Sequence, residues 1–299
     1  MSSTVNVTHA NLTSGDSFQS YVSDFLLKNQ ISHVITFHPT IALNFTRVKR
    51  HDIVWIATEH NAPKNYTFKR RLANLYAYMH ADRLVLLTES AAKYYRRRGI
   101  RNIEVIPNPV SFTSEQVSPL TAKTIVAVGR LEVVKRFDQC IRAFSEVVSA
   151  HPDYTLKIVG SGSQENELKT LVASLGIENS VEFTGVQKNI KEILLNASLM
   201  AITSEYEGFS LVALEALECG LPVVAFELLS VREIDAASGA ISFVPQGDWK
   251  ALAAEMNRLI DSREQLVRAG RAAKMRAAEY EPDKIGSLWR LLIGGKTEN

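Results

Sequence analysis

Cysteine is nearly missing from this sequence. Cys140 and Cys219 are the only two in 299 residues, so no disulfide framework is available. Both sit in apolar helical patterns, which predicts buried, reduced thiols and a cytoplasmic setting. No run of about 18 apolar residues occurs, so a membrane-spanning helix is not expected. The start of the chain is polar and uncharged, so a secretion signal is not expected either. The five Asn-x-Ser/Thr sequons, at Asn6, Asn11, Asn44, Asn65 and Asn196, carry little weight without one. No Asp-x-Asp triplet occurs, so a metal-dependent diphosphate site is not expected. The seven histidines show no zinc-type spacing. A Gly-x-Ser-x-Gly elbow and a Walker A loop are also lacking, which excludes the commonest serine hydrolase and P-loop readings.

What is present is a globular composition, 46% hydrophobic and 22% charged, at a length that suggests two domains. The net charge of +2 is unevenly spread. Residues 1–115 hold 14 Lys/Arg against 8 Asp/Glu, a balance of +6; the remainder holds 20 against 24, a balance of −4. The basic first half suits an anionic partner, either a membrane surface or a phosphate-bearing acceptor, unless these are ordinary solvated charges.

Periodicity organises the chain as alternating strands and helices. Residues 4–8 alternate like a short edge strand. Phe18, Tyr21, Val22, Phe25 and Leu26 mark a helix over 16–29. Strands are expected at 33–37, 52–57, 83–87 and 103–106, with helices at 40–50, 67–80 and from about 91. The 67–80 helix carries Phe68, Leu72, Leu75, Tyr76 and Met79 on one side and Lys69-Arg70-Arg71 near its start. A proline-rich stretch without periodicity, 107–122, reads as the domain boundary. Beyond it, strands are expected at 124–128, 154–159, 180–183, 199–202, 223–225 and 241–244. Helices alternate with them, and a last helix at 282–292 carries Ile285, Leu288, Trp289 and Leu292 on one face. This alternation predicts parallel α/β sheets.

Ligands in such sheets bind at the turns after strand C-termini, and three turns of the second domain line up with that rule. Gly160-Ser161-Gly162 is a weak signal alone, and the other two carry the chemistry. Gly129 through Lys135 brings Arg130 and Lys135 onto one loop. Arg offers a planar fork to phosphate oxygens and Lys a point charge. The second stretch runs from Glu207-Gly208-Phe209-Ser210 into an apolar helix with Glu215 inside its pattern. Gly208 allows close backbone approach, Ser210 is expected to cap the helix, and the helix N-terminus suits a phosphate. A carboxylate among apolar residues is costly unless paired. A lone Glu at the position of Glu215 reads more simply as a solvated or backbone-bonded residue. Two cations, a helix N-terminus and two carboxylates together suit a nucleotide diphosphate sugar.

These motifs resemble glycosyltransferase family 4, retaining enzymes of the GT-B fold. The matching residues are Val128-Gly129-Arg130-Leu131 with Lys135, Val159-Gly160-Ser161-Gly162, Phe183-Thr184-Gly185, Glu207 through Glu215, Glu218 through Ala225 and Arg232-Glu233-Ile234. Thr58-Glu59-His60-Asn61, Ala81-Asp82-Arg83 and Ile106 through Val110 match more loosely. The resemblance implies two Rossmann-like domains facing across a cleft: a shortened acceptor-side domain at 1–112 and a donor-binding domain at 113–281. The helix at 282–299 is expected to cross back to the first domain. It implies a metal-independent hexosyltransferase with no cofactor and a UDP- or GDP-linked sugar as co-substrate.

By the same resemblance, Arg130, Lys135 and Glu207 form the catalytic set. Gly129, Gly160, Val186, Gly208, Phe209, Ser210, Leu211 and Glu215 complete the donor site, and His60 lies on the acceptor side. The acceptor would be a glycan or polyprenyl-linked lipid in cell-surface polysaccharide assembly. The protein would be cytoplasmic, touching the inner membrane face peripherally and not binding nucleic acid. The alternative is a nucleotide-sugar-binding subunit that needs a partner chain for transfer. Two departures from the family pattern stand out. Arg136 replaces the usual glycine after the lysine of the first loop, and residues 1–30 contain no Gly-rich turn.

Overall fold

A computed structural model describes residues 17–62 and 66–294. The chain forms two compact units, Met1–Leu86 with Lys93–Glu104, and Leu87–Ala92 with Val105–Asn299. The edge strand expected at 4–8 lies outside the described residues.

The first unit opens with α1 (Phe18–Lys28), whose Ser17 hydroxyl accepts from the Ser20 N–H as an N-cap. Then come β1 (His33–Thr36), α2 (Pro39–Phe45), β2 (Val54–Glu59), α3 (Phe68–His80) and β3 (Arg83–Leu86), followed by α4 (Glu89–Arg96), whose first half is counted with the second unit, and β4 (Ile103–Val105), whose last residue is too. The strands pair in the order β1-β2-β3-β4, and the β1–β2 and β2–β3 ladders are parallel. Right-handed crossovers that step one way along such a sheet put α2, α3 and α4 on one face. α2 is shorter than the expected 40–50, because Thr46 closes it and bonds its hydroxyl back to the Leu43 carbonyl. Asp82 ties the sheet's lower edge together: it accepts from the Trp55 N–H at 2.8 Å and pairs with Lys49 at 2.9 Å.

The second unit contains β5 (Thr124–Val128), α5 (Phe137–Ala150), β6 (Thr155–Val159), α6 (Glu165–Ser174), β7 (Val181–Gly185), α7 (Ile190–Leu195), β8 (Leu199–Ile202), α8 (Leu211–Glu218), β9 (Val223–Phe226), α9 (Leu229–Asp235) and β10 (Ile241–Val244). α10 (Trp249–Asp261), α11 (Arg263–Ala277) and α12 (Pro282–Gly294) follow. All paired strands are parallel, in the order β10-β9-β8-β5-β6-β7. Every residue of β8 and β9 is buried, which is why both read as continuous apolar runs without alternation. The order reverses direction between β5 and β8, so α5 and α6 cover one face and α8 and α9 the other. α10 packs on α5, and α11 packs on α8.

Cys140 and Cys219 are free and buried, and burial pushes both thiols up to about 12. Of the apolar face expected on α12, Ile285 alone is buried, and Leu288 is exposed. No helix among the described residues is long and apolar enough to cross a membrane.

Candidate active site at the sheet's switch point

The loop after β5 starts at Gly129, and the Lys135 side chain packs beside it. A Cβ there would stand 3.6 Å from Lys135 Cε, so the lysine stem lies against the glycine. A 3-10 turn, Val133–Lys135, carries the chain round to Arg136. Arg136 occupies the left-handed region at φ 50°, ψ 41°, the conformation for which glycine is the default residue. The departure noted in the sequence therefore sits in a backbone conformation that glycine adopts without steric cost. The Arg136 guanidinium turns to Asp138 at 3.2 Å.

The loop is stitched to its neighbours through glycines. Gly129 N–H donates to Val159 O, Leu131 N–H to Ser161 O, and Gly160 N–H to Gly185 O. A Cβ on Gly160 would overlap the Gly129 carbonyl, and one on Gly162 would overlap the Leu131 backbone. Both glycines let adjacent turns touch. Val186, just past Gly185, is exposed.

The loop after β8 closes on the β5 loop. Thr203 Oγ1 donates to Lys135 O at 2.9 Å, and Glu205 N–H to Val134 O at 2.8 Å. Glu207 then receives Lys135 Nζ at 3.1 Å and Ser204 Oγ at 2.7 Å on the same carboxylate oxygen. Ser230 Oγ holds the Glu207 carbonyl at 3.0 Å. The Glu207 side chain is only 7% exposed, so the ion pair and the hydroxyl offset the cost of taking its charge out of water. Lys135 and Glu207 thus meet outside the carboxyl ends of β5 and β8, where the strand order reverses and open α/β sheets bind their ligands. Arg130 lies exposed on the same loop.

Gly208 and Phe209 lead into α8, and Leu211 is its exposed first residue. The Phe209 ring stacks at a tilt on Tyr280, 6.1 Å between centroids. The expected cap does not form. Ser210 is at the capping position, but its hydroxyl makes no cap bond; it is fully buried and without a hydrogen-bond partner. The first N–H groups of α8 therefore keep no side-chain cap, which leaves them open to an anion. Glu215, further along α8, accepts from Ser111 Oγ at 2.6 Å. Burial raises its pKa, partly offset by that hydrogen bond.

His60 belongs to the first unit, just past β2. Thr58 Oγ1 donates to Thr36 O at 3.1 Å and contacts His60 Nε2 at 3.0 Å. With its proton already committed, Thr58 accepts from His60, which assigns the Nε2–H tautomer and leaves Nδ1 as an acceptor. Burial lowers the His60 pKa, favouring this neutral form.

Residues 112–276 match the family model of glycosyl transferases group 1, and residues 5–113 match that of glycosyltransferase family 4. The chain belongs to the group 1 glycosyltransferases. Exopolysaccharide phosphotransferase SCO2592 of Streptomyces coelicolor is 32% identical over 71% of this chain, but that stretch is only 23% of the relative's length. The amylovoran biosynthesis glycosyltransferase AmsD of Erwinia amylovora is 27% identical over 80% of this chain and 69% of its own. Among solved structures, Anabaena Alr3699/HepE in complex with UDP superposes with a TM-score of 0.84 at 18% identity, covering 93% of this chain and 82% of that one. At that identity the likeness speaks for the fold, and it establishes the GT-B architecture expected from the sequence.

Three features of this group 1 glycosyltransferase were not readable from its motifs. Glu218 carries the buried structural charge of α8: its side chain is 4% exposed and pairs with Lys274 Nζ at 2.6 Å. The same oxygen accepts from the Ser114 N–H at 2.6 Å, while Lys274 donates to Ser114 O at 2.7 Å, clamping the linker to α8 and α11. Glu59 is the second. Its buried carboxylate accepts from the Asn61 N–H, the Tyr66 hydroxyl and the Tyr78 hydroxyl at 2.8–3.0 Å, and burial raises its pKa. The third is a cavity of about 600 Å³ between Gln116–Pro119 and α7, reached by Asn189 and Lys191 and lined by none of the expected site residues.

Proposed function

We propose that this chain is a retaining glycosyltransferase, moving a sugar from a nucleotide diphosphate donor to a glycan or lipid-linked acceptor in cell-surface polysaccharide assembly. The observation that carries this reading is the Lys135–Glu207 pair at the switch point, 3.1 Å apart, beside the uncapped start of α8. Lys135 and Arg130 neutralise the donor diphosphate, and the α8 amides of Leu211 and its neighbours hold its terminal phosphate. Glu207 accepts hydrogen bonds from hydroxyls of the transferred sugar, and Glu215 from the ribose. Gly185 and Val186 border the base.

During transfer, the bond from the anomeric carbon to the phosphate oxygen breaks and the bond to the acceptor oxygen forms on the same face. The acceptor's proton passes to the departing phosphate. Lys135 stabilises the charge that develops on that phosphate, where a fixed cation contributes most. In this reading His60 faces the acceptor and offers Nδ1 to one of its hydroxyls. HepE is described in complex with UDP, which favours a uridine donor over a guanosine one here. Cytoplasmic residence, with peripheral contact to an anionic inner membrane face, fits two buried free thiols and the +6 balance of residues 1–115.

The test is mass spectrometry of donor turnover by the purified chain across a panel of nucleotide sugars and cell-derived acceptors. Arg130→Ala and Glu207→Ala should each lower turnover by orders of magnitude with the fold intact. Unchanged turnover in both variants overturns the reading. The described first unit has a sheet of only four strands against six in the second, and this favours a second reading, a donor-binding subunit completed by a partner chain. Donor binding without transfer, restored by a partner, would select it.

A further inference from the structure

The apolar side of α3 faces outward. Phe68 is 74% exposed, Met79 60%, and Leu72 and Tyr76 52% each. The buried positions of the helix are Asn74, Ala77 and Tyr78, and neither polar atom of the Asn74 amide has a hydrogen-bond partner. At 3.6 residues per turn, Phe68, Met79, Leu72 and Tyr76 fall within about 80° of arc. Single exposed apolar residues are normal on a protein surface; four large ones in a contiguous stripe mark an interaction face. A helix that met only water and its own sheet would turn this stripe inward and the amide outward.

The charges around the stripe say what covers it. α3 carries Lys69, Arg70 and Arg71 in its first turn and no acidic residue. Lys69 is exposed at the border of the stripe. α4 lies on the same face of the sheet, joined to α3 by the edge-on contact of Tyr78 with Tyr95, 5.4 Å between centroids. Lys93, Arg96, Arg97 and Arg98 are exposed on α4 and the turn after it. A second copy of this chain would bring the same positive charge to the face and be repelled. An anionic bilayer supplies both what the stripe lacks, an apolar layer, and what the rim needs, phosphate charge.

We infer that α3 is a membrane-binding helix, laying Phe68, Leu72, Tyr76 and Met79 into the headgroup boundary of an anionic bilayer while Lys69 and the cations of α4 meet lipid phosphates. This deepens the peripheral membrane contact proposed above by naming the surface that makes it, and it is independent of the donor assignment, since vesicle binding and sugar transfer are read separately.

The experiment is flotation of the full chain with vesicles of phosphatidylcholine and phosphatidylglycerol in equal parts, against phosphatidylcholine alone. The wild-type chain should float with the anionic vesicles and stay behind with the neutral ones. Combined Phe68→Ser, Leu72→Ser, Tyr76→Ser and Met79→Ser should lower the bound fraction by at least about tenfold, and Lys93→Glu with Arg97→Glu should do the same. Phe68→Trp gives a second readout that keeps the surface apolar: the emission of the introduced indole should shift to the blue when anionic vesicles are added. Three results overturn the inference: no flotation of the wild-type chain, equal flotation of the serine variant, or an unmoved emission from the Phe68→Trp variant. A wild-type dimer that the serine variant turns into a monomer would also overturn it, by assigning the stripe to a protein partner.

Discussion

Lys135 and Glu207 lie 72 positions apart in the chain and 3.1 Å apart in space. They join the two loops that flank the point where the second sheet reverses its strand order. Each compensates the other's desolvation while no donor is bound. A diphosphate entering beside Lys135 would compete with Glu207 for the ammonium group and free the carboxylate for sugar hydroxyls.

Arg136→Gly should stabilise the protein. An L-residue in the left-handed region costs roughly 1–2 kcal/mol. The pair that Arg136 makes with Asp138 is partly exposed and worth under about 1 kcal/mol. Chemical denaturation should show a gain of about 0.5–1 kcal/mol, with the αL turn and donor binding retained. A loss of stability would mean that Arg136 does more than close the turn.

Glu218→Ala should cost about 2–4 kcal/mol, because it strands Lys274 and leaves the Ser114 N–H without its acceptor. The double variant Glu218→Leu with Lys274→Met should recover part of that loss, since no charge then remains unpaired. Urea midpoints of the two single variants and the double variant measure the coupling directly.

How much of this is legible in sequence depends on the range of the interaction. β5 and β8 can be read to their observed ends because they are apolar runs closed by Gly129 and Thr203; β10, an edge strand with Ser242 in its middle, is bounded instead by Pro245. The Gly129–Lys135 and Glu207–Glu215 loops can be read because their residues are neighbours in the chain. The pairing of Glu218 with Lys274 cannot, since 56 positions separate them and neither sits in a telling local pattern. Ser210 satisfies every local rule for a cap, but its hydroxyl is packed inward. α3 exposes the limit of periodicity: a stripe of apolar residues shows that a helix has two faces, and says nothing about which one meets the sheet.

Glu215 gives a pH prediction. Burial raises its folded pKa, so above an unfolded value of about 4.3 the unfolded chain releases this proton first. Its contribution to stability is full below that pH and is lost as pH rises through the folded pKa. Wild-type protein should therefore lose stability relative to Glu215→Gln over that interval. If the ionised carboxylate receives the ribose hydroxyls, donor affinity should move the opposite way in the wild-type chain, rising over the same interval, and Glu215→Gln should flatten that rise. Thermal melts and donor titrations of both proteins across acid to neutral pH would read the two effects.

The central claim is that Lys135 holds a donor diphosphate and Glu207 holds the sugar. It is tested most directly by calorimetric titration of UDP, which has no sugar, into wild-type protein, Lys135→Ala and Glu207→Gln. The account predicts UDP affinity at least about tenfold weaker in Lys135→Ala, the equivalent of about 1.4 kcal/mol. In Glu207→Gln it predicts near wild-type UDP affinity together with a collapse of sugar transfer. Equal UDP affinity in wild type and Lys135→Ala would contradict it.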